Sequence, residues 1–286
     1  MNKYLKILRI YVKIDVKVQV FNFYLVKTYN KRRKAKMKLG AQFYTIRDNT
    51  TTPEDLKKSF AAIKNIGYEV AQMSAICDID ANLLKSYSDE YSLPITCTHS
   101  AFKRIINDTD ALIKEHIIYG CPVIGLGSMP QEYRNSLDGV RAFLKEMAEP
   151  MKKMEAAGLT FAYHNHAFEF QLDGDKPFYD IMIEEAPTMG FILDTYWVKF
   201  AGFDYLYYLK KLGPARISNV HFKDMDSEPK GKICPCGTGV IDFGEVKNLC
   251  EELGIPNALV EQDNAPDTGD SIGQMIISYN NLKKYF

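Results

Sequence analysis

The stretch that decides the fold is residues 159–166, LTFAYHNH. Its apolar run predicts a buried strand that ends in two histidines, His164 and His166. Side chains alternate between the two faces of a strand, so residues two apart share a face. We therefore expect both imidazoles to point the same way from the end of one buried strand.

Three later runs also end in residue types that bind metal ions: 191–194 (FILD), 217–221 (ISNVH) and 258–261 (ALVE). Taken alone, a strand-end aspartate is more often a turn former, and a lone histidine is more often structural. Four strand ends that offer His, Asp, His and Glu favour a metal site, because buried carboxylates are costly unless a cation pairs with them. Mixed imidazole and carboxylate ligands suit Mn, Fe, Co, Ni or Zn better than Ca.

Strand-like and helical runs alternate from residue 37 to the end of the chain. The predicted strands are 39–44, 69–74, 95–99, 123–127, 159–166, 190–194, 217–221 and 258–262. The predicted helices are 53–66, 81–91, 108–119, 136–157, 177–185, 204–212, 243–253 and 270–285. Crossovers of this length require parallel pairing, and eight such units fit a (β/α)₈ barrel of the α/β class. An open doubly wound sheet normally carries a Gly-rich loop after its first strand, and the AQFYTIRDNT segment has none.

Residues at the predicted helix ends agree with this division. Glycines occupy the position just after five helices, at Gly67, Gly120, Gly158, Gly213 and Gly254. The predicted N-caps are Asp108, Ser136 and Asp270. Two long loops, 222–242 and 262–269, follow strands that end in candidate ligands. Long loops at the carboxyl ends of barrel strands are usually functional, so we expect the active site there.

The charge of the chain is unevenly distributed. Residues 1–36 hold 11 of the 36 basic residues and 1 of the 36 acidic ones, so residues 37–286 keep 25 basic and 35 acidic side chains, a net charge of about −10. Nucleic-acid binding needs clustered cations that displace phosphate counterions, so an acidic body argues against that class of partner. Six scattered cysteines without paired zinc-finger spacing predict reduced thiols and a cytoplasmic protein.

The basic segment 1–36 is interpreted as an N-terminal extension outside the core, and 37–286 as the catalytic domain. Charges interrupt every apolar run of the extension, so no stretch reaches the roughly 18–20 apolar residues of a membrane helix. No signal-peptide cleavage pattern is evident either. Residues 16–23 alternate well enough to predict a β-hairpin arm.

Five motifs carry a resemblance to a known family: LDTYW, VHFKD, GTGVIDF and VEQD, spaced as they are after YHNHAFEF. Over about 37–286 the chain resembles the sugar phosphate isomerase/epimerase superfamily, which are xylose isomerase-like TIM barrels. The resemblance implies one divalent metal ion (Mn, Co, Zn, Fe or Mg). Its implied ligands are His164, Asp194, His221 and Glu261. Sugar epimerases usually carry Glu at the position of His164, and the replacement resembles the inosose dehydratase-like branch.

The same resemblance implies roles for further residues. Glu261, Glu169 and His166 are the catalytic candidates, and Glu169 is also an alternative strand-five ligand. The candidates for substrate binding are His99, Arg104, Trp197, Lys223 and Gln72. Three of them have a plainer interpretation, since Trp197 could pack against the rim, Arg104 could be a surface charge and Gln72 could bond to backbone.

The implied reaction is isomerisation or epimerisation of a sugar. A carboxylate removes the proton next to a carbonyl, and the metal stabilises the enediolate. A lyase or dehydratase acting on keto-sugars or keto-glycosides uses the same chemistry and remains an alternative. A metal-dependent abasic-site endonuclease is disfavoured by the acidic body and by the count of five histidines. A non-catalytic sugar-binding barrel is the remaining alternative. The predicted partner is a small sugar, with no nucleic acid and no membrane, and self-association is left open.

A chain that starts at Met37 tests the predicted boundary. Because residues 1–36 contribute no candidate ligand, the shortened chain should fold and keep the activity of the full-length protein in the same assay. An insoluble or inactive shortened chain would refute the assignment of 1–36 as an extension.

Overall fold

The computed structural model describes residues 36–286. The predicted hairpin arm over 16–23, and all but the last residue of the predicted extension, lie outside the described residues. Within them, no helix combines the length and the apolar character that a membrane-spanning segment needs. All six cysteines of the chain lie in this range, and all are unpaired.

Eight parallel strands form the main sheet. They are β1 (Lys38–Gln42), β2 (Val70–Met73), β3 (Ile95–Thr98), β4 (Val123–Leu126), β5 (Thr160–His164), β6 (Gly190–Asp194), β7 (Ile217–Phe222) and β8 (Asn257–Val260). They are paired in the order β3-β2-β1-β8-β7-β6-β5-β4. Just past β3, the amide of Ser100 donates to the carbonyl of Gly125 on β4 at 2.8 Å, which brings the two ends of the sheet together. The nearly closed barrel confirms the predicted (β/α)₈ fold.

Ten helices lie between and after the strands. They are α1 (Pro53–Ile66), α2 (Ala81–Glu90), α3 (Phe102–Asn107), α4 (Thr109–Tyr119), α5 (Leu137–Ala156), α6 (Phe178–Glu185), α7 (Thr195–Phe200), α8 (Tyr205–Leu212), α9 (Phe243–Leu253) and α10 (Ser271–Leu282). The bounds of α1 and α9 are as predicted. The short helices α3 and α7 were not predicted, because six residues are too few to show a helical period.

Two of the three predicted N-caps are confirmed, and the third makes no capping hydrogen bond. Ser136 accepts from the amide of Gly139 at 3.1 Å, and Asp270 accepts from the amide of Gly273 at 2.8 Å, which confirms both. Asp108 stands before α4, but its side chain makes no capping hydrogen bond. The amide of Asp108 donates to the carbonyl of Arg104 in the last turn of α3. The backbone of α3 therefore already fixes the chain between α3 and α4.

The strands are packed on both sides. Inside the barrel, Cys97, Val123, Ala162 and Ile192 form a small buried cluster, while the larger core lies between strands and helices. On β4, a Cβ at Gly125 would press against the carbonyl oxygen of Thr98, so only glycine allows this close approach of β4 to β3. Gly125 therefore serves barrel packing.

The prediction that β5 runs on to His166 is wrong. The strand ends at His164. Beyond it, the amide of His166 donates to Oε2 of Glu169 at 2.8 Å instead of to a neighbouring strand. The two imidazoles still meet edge to face, with ring centroids 4.8 Å apart, but the second is held by a loop contact and not by the strand pleat.

Arg216, just before β7, ties this strand to the end of α6 and the start of β6. Its guanidinium donates to the carbonyls of Ile183, Ala186 and Met189 at 2.7, 2.6 and 2.9 Å, and it lies 4.9 Å from the ring centre of Phe191. One charged side chain thus satisfies carbonyls that the helix end leaves without partners. Since β6 and β7 carry two candidate ligands, this contact helps to fix their relative position.

Replacing Arg216 by Met should lower the free energy of unfolding by about 2–4 kcal/mol, because hydrogen bonds to a charged group contribute about 1.5–3 kcal/mol each and are not additive. The matched control is Arg141→Met, which removes an exposed ion pair to Glu185 and should cost about 0–1 kcal/mol. Urea unfolding followed by circular dichroism measures both. Equal losses in the two variants would contradict the role given to Arg216.

Candidate functional site

Four ligand side chains predicted from distant parts of the sequence converge at the carboxyl end of the barrel. His164, Asp194, His221 and Glu261 each offer one ligand atom, and these atoms all lie within 4.8 Å of one another. All four residues are buried, with exposures of 0–3%. Three of them end or nearly end β5, β6 and β7, and Glu261 directly follows β8. The barrel brings them together because parallel strands end at the same rim.

In both histidines of this cluster, one ring nitrogen is hydrogen-bonded to an acceptor outside the cluster. Nδ1 of His164 bonds to the carbonyl oxygen of Gly127 at 2.9 Å, and Nε2 of His221 bonds to Oε1 of Gln72 at 2.8 Å. Because both partners can only accept, these ring nitrogens carry the hydrogens. In the neutral rings the other two nitrogens are then lone-pair donors that face the carboxylates, which is the usual state of a metal-binding histidine.

The distances among the four ligand atoms match a shared cation. His221 Nδ1 lies 2.7 Å from Glu261 Oε2, and His164 Nε2 lies 3.2 Å from Asp194 Oδ2. The two cross distances, from each imidazole to the other carboxylate, are both 3.8 Å. Ligands of one tetrahedral ion stand about 3.4 Å apart.

Two of the four atoms are also without hydrogen-bond partners. His221 Nδ1 and Glu261 Oε2 are buried and make no hydrogen bond of good geometry, and the one cation beside Glu261 Oε2 among the described residues is the ammonium of Lys223, 3.0 Å away. Unpaired buried polar atoms of this kind call for a missing partner. The residues therefore fit a divalent metal ion by donor type, by spacing and by the atoms left unpaired.

Lys223 brings the only ammonium into this cluster among the described residues. Its Nζ lies 3.2 Å from Asp194 Oδ2, 3.0 Å from Glu261 Oε2 and 2.9 Å from Asp263 Oδ1, and the side chain is 1% exposed. Burial alone would lower the pKa of Lys223, but the three carboxylates raise it well above its usual value. Three carboxylates and one ammonium leave a formal charge of −2 with neutral imidazoles, which a divalent cation would balance.

Burial and the charges of the cluster also shift the pKa values of its other ionisable side chains. Burial opposes the charged form of Glu261, yet Lys223 and His221 hold its pKa well below the usual range. Burial likewise acts to lower the pKa of His164, but the hydrogen bond to Asp194 and the charge of Glu261 outweigh it, so that this pKa is raised. For His221, burial prevails and the pKa is lowered. The field at His164 and Lys223 thus favours positive charge.

A cavity of about 440 Å³ opens above the cluster. Asp263 and five predicted site residues line it; the five are His99, His164, His166, Lys223 and Glu261. The rest of the lining comes from the loops after β1 to β4. The opening gives a small molecule access to the candidate ligands.

Three residues predicted to bind substrate lie elsewhere. Gln72 lies behind His221 and holds its ring, so it does not line this cavity. Trp197 is half-buried against His166, with ring centroids 5.1 Å apart, and its Nε1 has no partner. Arg104 lines a second, neighbouring cavity and forms two hydrogen bonds with Glu115, at 3.1 and 2.8 Å.

Glu169, predicted as an acid/base or a ligand, lies behind His166. Its Oε1 accepts from the hydroxyl of Tyr163 at 2.5 Å, and its Oε2 accepts from the amide of His166. Burial raises the pKa of Glu169 to about 7. Both oxygens are thus engaged inside the protein, and Glu169 is not among the residues that line the cavity. In this position it orients His166.

Several residues of the site were missed by sequence reasoning. Gln42, at the end of β1, donates to Glu261 Oε1 at 3.3 Å and faces Nδ1 of His99 at 3.4 Å. Asp263 follows Glu261 by two and meets Lys223. Both lie near strand ends. Gln42 is a lone polar residue in an apolar run, and Asp263 belongs to the VEQD motif, so these two features of the sequence could have indicated them as site residues.

Asp224, next to Lys223, fixes the long loop that follows β7. Its carboxylate accepts from the amides of Met225, Gly237, Gly239 and Ile241, at 2.8–3.1 Å. The CPCGTG stretch therefore folds back on the end of β7. This gives the KD pair of the VHFKD motif two tasks, since Lys223 faces the ligands and Asp224 anchors the loop.

The sequence profile of the xylose isomerase-like TIM barrel family matches residues 60–275, which is more than half of the chain. The chain belongs to this family. None of the curated proteins matches it at a significant level.

Three solved structures of similar fold are distant in sequence. A sugar phosphate isomerase/epimerase from Parabacteroides distasonis is 19% identical, with a TM-score of 0.71 over 86% of this chain and 98% of its own. A probable 3-DHS dehydratase from Bacillus anthracis is 14% identical, with a TM-score of 0.66 over 86% and 99%. An AP endonuclease, family 2, from Brucella melitensis is 12% identical, with a TM-score of 0.59 over 79% and 93%. At these identities the likeness shows the fold that the xylose isomerase-like chain shares with them.

Proposed function

We propose that the chain is a metal-dependent enzyme that removes a proton from the carbon next to a sugar carbonyl, in the manner of a sugar isomerase or epimerase. The observation that supports this most directly is the buried cluster of His164, Asp194, His221 and Glu261 beneath an open cavity. In both histidines the ring nitrogen that faces away from the cluster is already hydrogen-bonded, to Gly127 and to Gln72. The rings are therefore oriented as ligands before an ion enters. Family membership supports an enzyme of this general kind.

The residues that would hold the ion are these four, and the charge of −2 suits a divalent one. A bound divalent ion would polarise a sugar carbonyl and acidify the adjacent C–H bond. The ammonium of Lys223 lies 2.9–3.2 Å from the carboxylates of Asp194, Glu261 and Asp263, so its proposed task is to offset their negative charge. Its position in VHFKD, two residues after His221, places it against the same cluster.

The chain's own acid and base groups lie around the cavity. Glu261 lines it and is the proposed base, with Gln42 fixing its second oxygen. His166 lines it from another side, with Nδ1 buried and unpartnered, and is the proposed acid that returns a proton. Asp263 is a second carboxylate at the cavity, and burial raises its pKa, which makes it the competing candidate for the base.

The proposed substrate is a small sugar or sugar derivative. Ser74, Ser100 and Ser128 line the cavity with hydroxyls, which suit the hydroxyls of a sugar. The acidic body of the protein gives no reason to expect a nucleic-acid partner.

A dehydratase or lyase acting on keto-sugars is the second candidate. It is favoured by His164 at the strand-five position and by His166 beside it, because an imidazole near the reacting carbon can protonate a leaving hydroxyl. The products separate the two candidates. An isomerase or epimerase yields a product of unchanged mass, whereas a dehydratase yields one that has lost water.

The metal-free protein should bind one divalent ion per chain, measured by calorimetric titration with Mn²⁺ or Zn²⁺. His221→Ala should abolish this binding. Gln72→Leu should weaken it about 10–100-fold, because the partner that orients a ligating histidine is lost. The matched control, Gln131→Leu, changes an exposed glutamine that lines neither cavity and should bind as the wild type does. Unchanged affinity in Gln72→Leu would contradict the orienting role.

Glu261→Gln should abolish incorporation of solvent deuterium into a turned-over ketose, since a general base contributes about 10²–10⁴ in rate. Proton NMR in D₂O measures the exchange, at a metal concentration that saturates each variant. Asp263→Asn removes the neighbouring carboxylate without removing a candidate ligand and should retain exchange. If Asp263→Asn were inactive and Glu261→Gln active, Asp263 would be the base.

A further inference from the structure

Two cavities open side by side at the carboxyl end of the barrel. The first, of about 440 Å³, lies above the candidate ligands, and the second, of about 330 Å³, lies beside the ends of β2 and β3. They share wall residues from those two strand ends: Ser74, Ala75, His99, Ser100 and Ala101. Each volume alone is within the range of about 300–1,000 Å³ found for small-molecule pockets. A single sugar ring above the ligands would leave the second cavity to solvent.

The lining of the second cavity combines apolar and hydroxyl-binding groups. Leu84 and Leu112 are buried and apolar. Asp78, Ser100 and the Arg104–Glu115 pair add acceptors and donors, and the side chains of that pair are 44% and 34% exposed. A sugar ring has the matching features, since its C–H faces are apolar and its edge carries hydroxyls. The second cavity therefore suits another hydroxylated ring.

His99 stands in the wall that the two cavities share. Its Nδ1 faces Nε2 of Gln42 at 3.4 Å and the hydroxyl of Ser74 at 3.3 Å. An amide nitrogen can only donate, so Nδ1 accepts and Nε2 carries the hydrogen. This Nε2 is buried and has no partner among the described residues. It is thus a donor without a partner, in a residue that lines both cavities.

Ala75 belongs to the same shared wall, and its side chain is only a methyl group. Its φ of +53° is in the left-handed region, which costs an L-residue about 1–2 kcal/mol. Thr50 helps to fix this turn, because the Cys77 amide donates to the Thr50 carbonyl at 2.9 Å; the Thr50 hydroxyl lies between the carbonyls of Arg47 and Ala75, at 3.2 and 3.4 Å. Strain that the surroundings hold in place is common at ligand sites.

We propose that the substrate is a two-ring sugar. Its reacting keto ring lies above the candidate ligands, its second hydroxylated ring fills the second cavity, and His99 donates to the oxygen that links them. The keto ring rests on the proposed function, whereas the second ring rests on the cavities alone.

The test compares the binding of fructose with that of three ketodisaccharides that carry a glucosyl group on fructose: turanose, maltulose and isomaltulose. Isothermal titration calorimetry on the full-length protein, with and without added Mn²⁺, gives the affinities. Ala81→Phe and Ile79→Phe each add a ring to the lining of the second cavity alone. Asn82→Phe, one residue along α2, is exposed, lines neither cavity and is the matched control.

At least one disaccharide should bind the wild type and Asn82→Phe ten or more times as tightly as fructose does. In Ala81→Phe and Ile79→Phe this ratio should fall at least fivefold. The proposal is overturned if fructose binds as tightly as every disaccharide, if no sugar binds, or if both filled variants keep the preference. A disaccharide preference without deuterium exchange on any sugar would instead uphold the two-ring site and remove the proposed reaction.

Discussion

Two carboxylates, those of Asp194 and Glu261, are buried at the rim of the barrel, and the surrounding residues offset the cost of keeping them ionised there. An unpaired buried charge costs several kcal/mol, so these groups need cations nearby. Lys223 supplies one, 3.2 Å from Asp194 and 3.0 Å from Glu261, and with Asp263 included the three carboxylates still outnumber this single ammonium. A divalent ion would satisfy the same need with all four ligands at once.

The contacts behind the cluster determine what it can do. Gly127 and Gln72 fix the tautomers of the two histidines, and Gln42 fixes the second oxygen of Glu261. Gly127 has a further task, since a Cβ there would lie 2.8 Å from Nδ1 of His99. Gly127 therefore contacts two imidazoles of the site, those of His99 and His164. A preformed cluster of this kind needs little rearrangement when an ion enters.

The barrel and the convergence of the four candidate ligands were predictable from the sequence for one physical reason. Parallel strands of a closed barrel end at one rim, so chemistry at strand ends converges whatever the distance along the chain. The positions of Glu169, Gln72 and Arg104 were not predictable in the same way. Each depends on a contact that only the folded chain makes, with Tyr163, His221 and Glu115 respectively. The end of β5 was misjudged for the same reason, since a loop carboxylate and not the strand pattern positions His166.

The residues that surround the candidate ligands explain how members of one family could catalyse different reactions. Proton removal next to a carbonyl needs only the ligand cluster and a carboxylate, and β5 to β8 supply these. In the proposed reaction, the fate of the intermediate would depend on the other side of the cavity, where loops after β1 to β4 and the segment beyond β5 contribute His99, His166 and several hydroxyls. Those loops can change in sequence without loss of the barrel. Substrate choice and reaction outcome would then be decided on the half of the rim that does not carry the candidate ligands of β6 to β8.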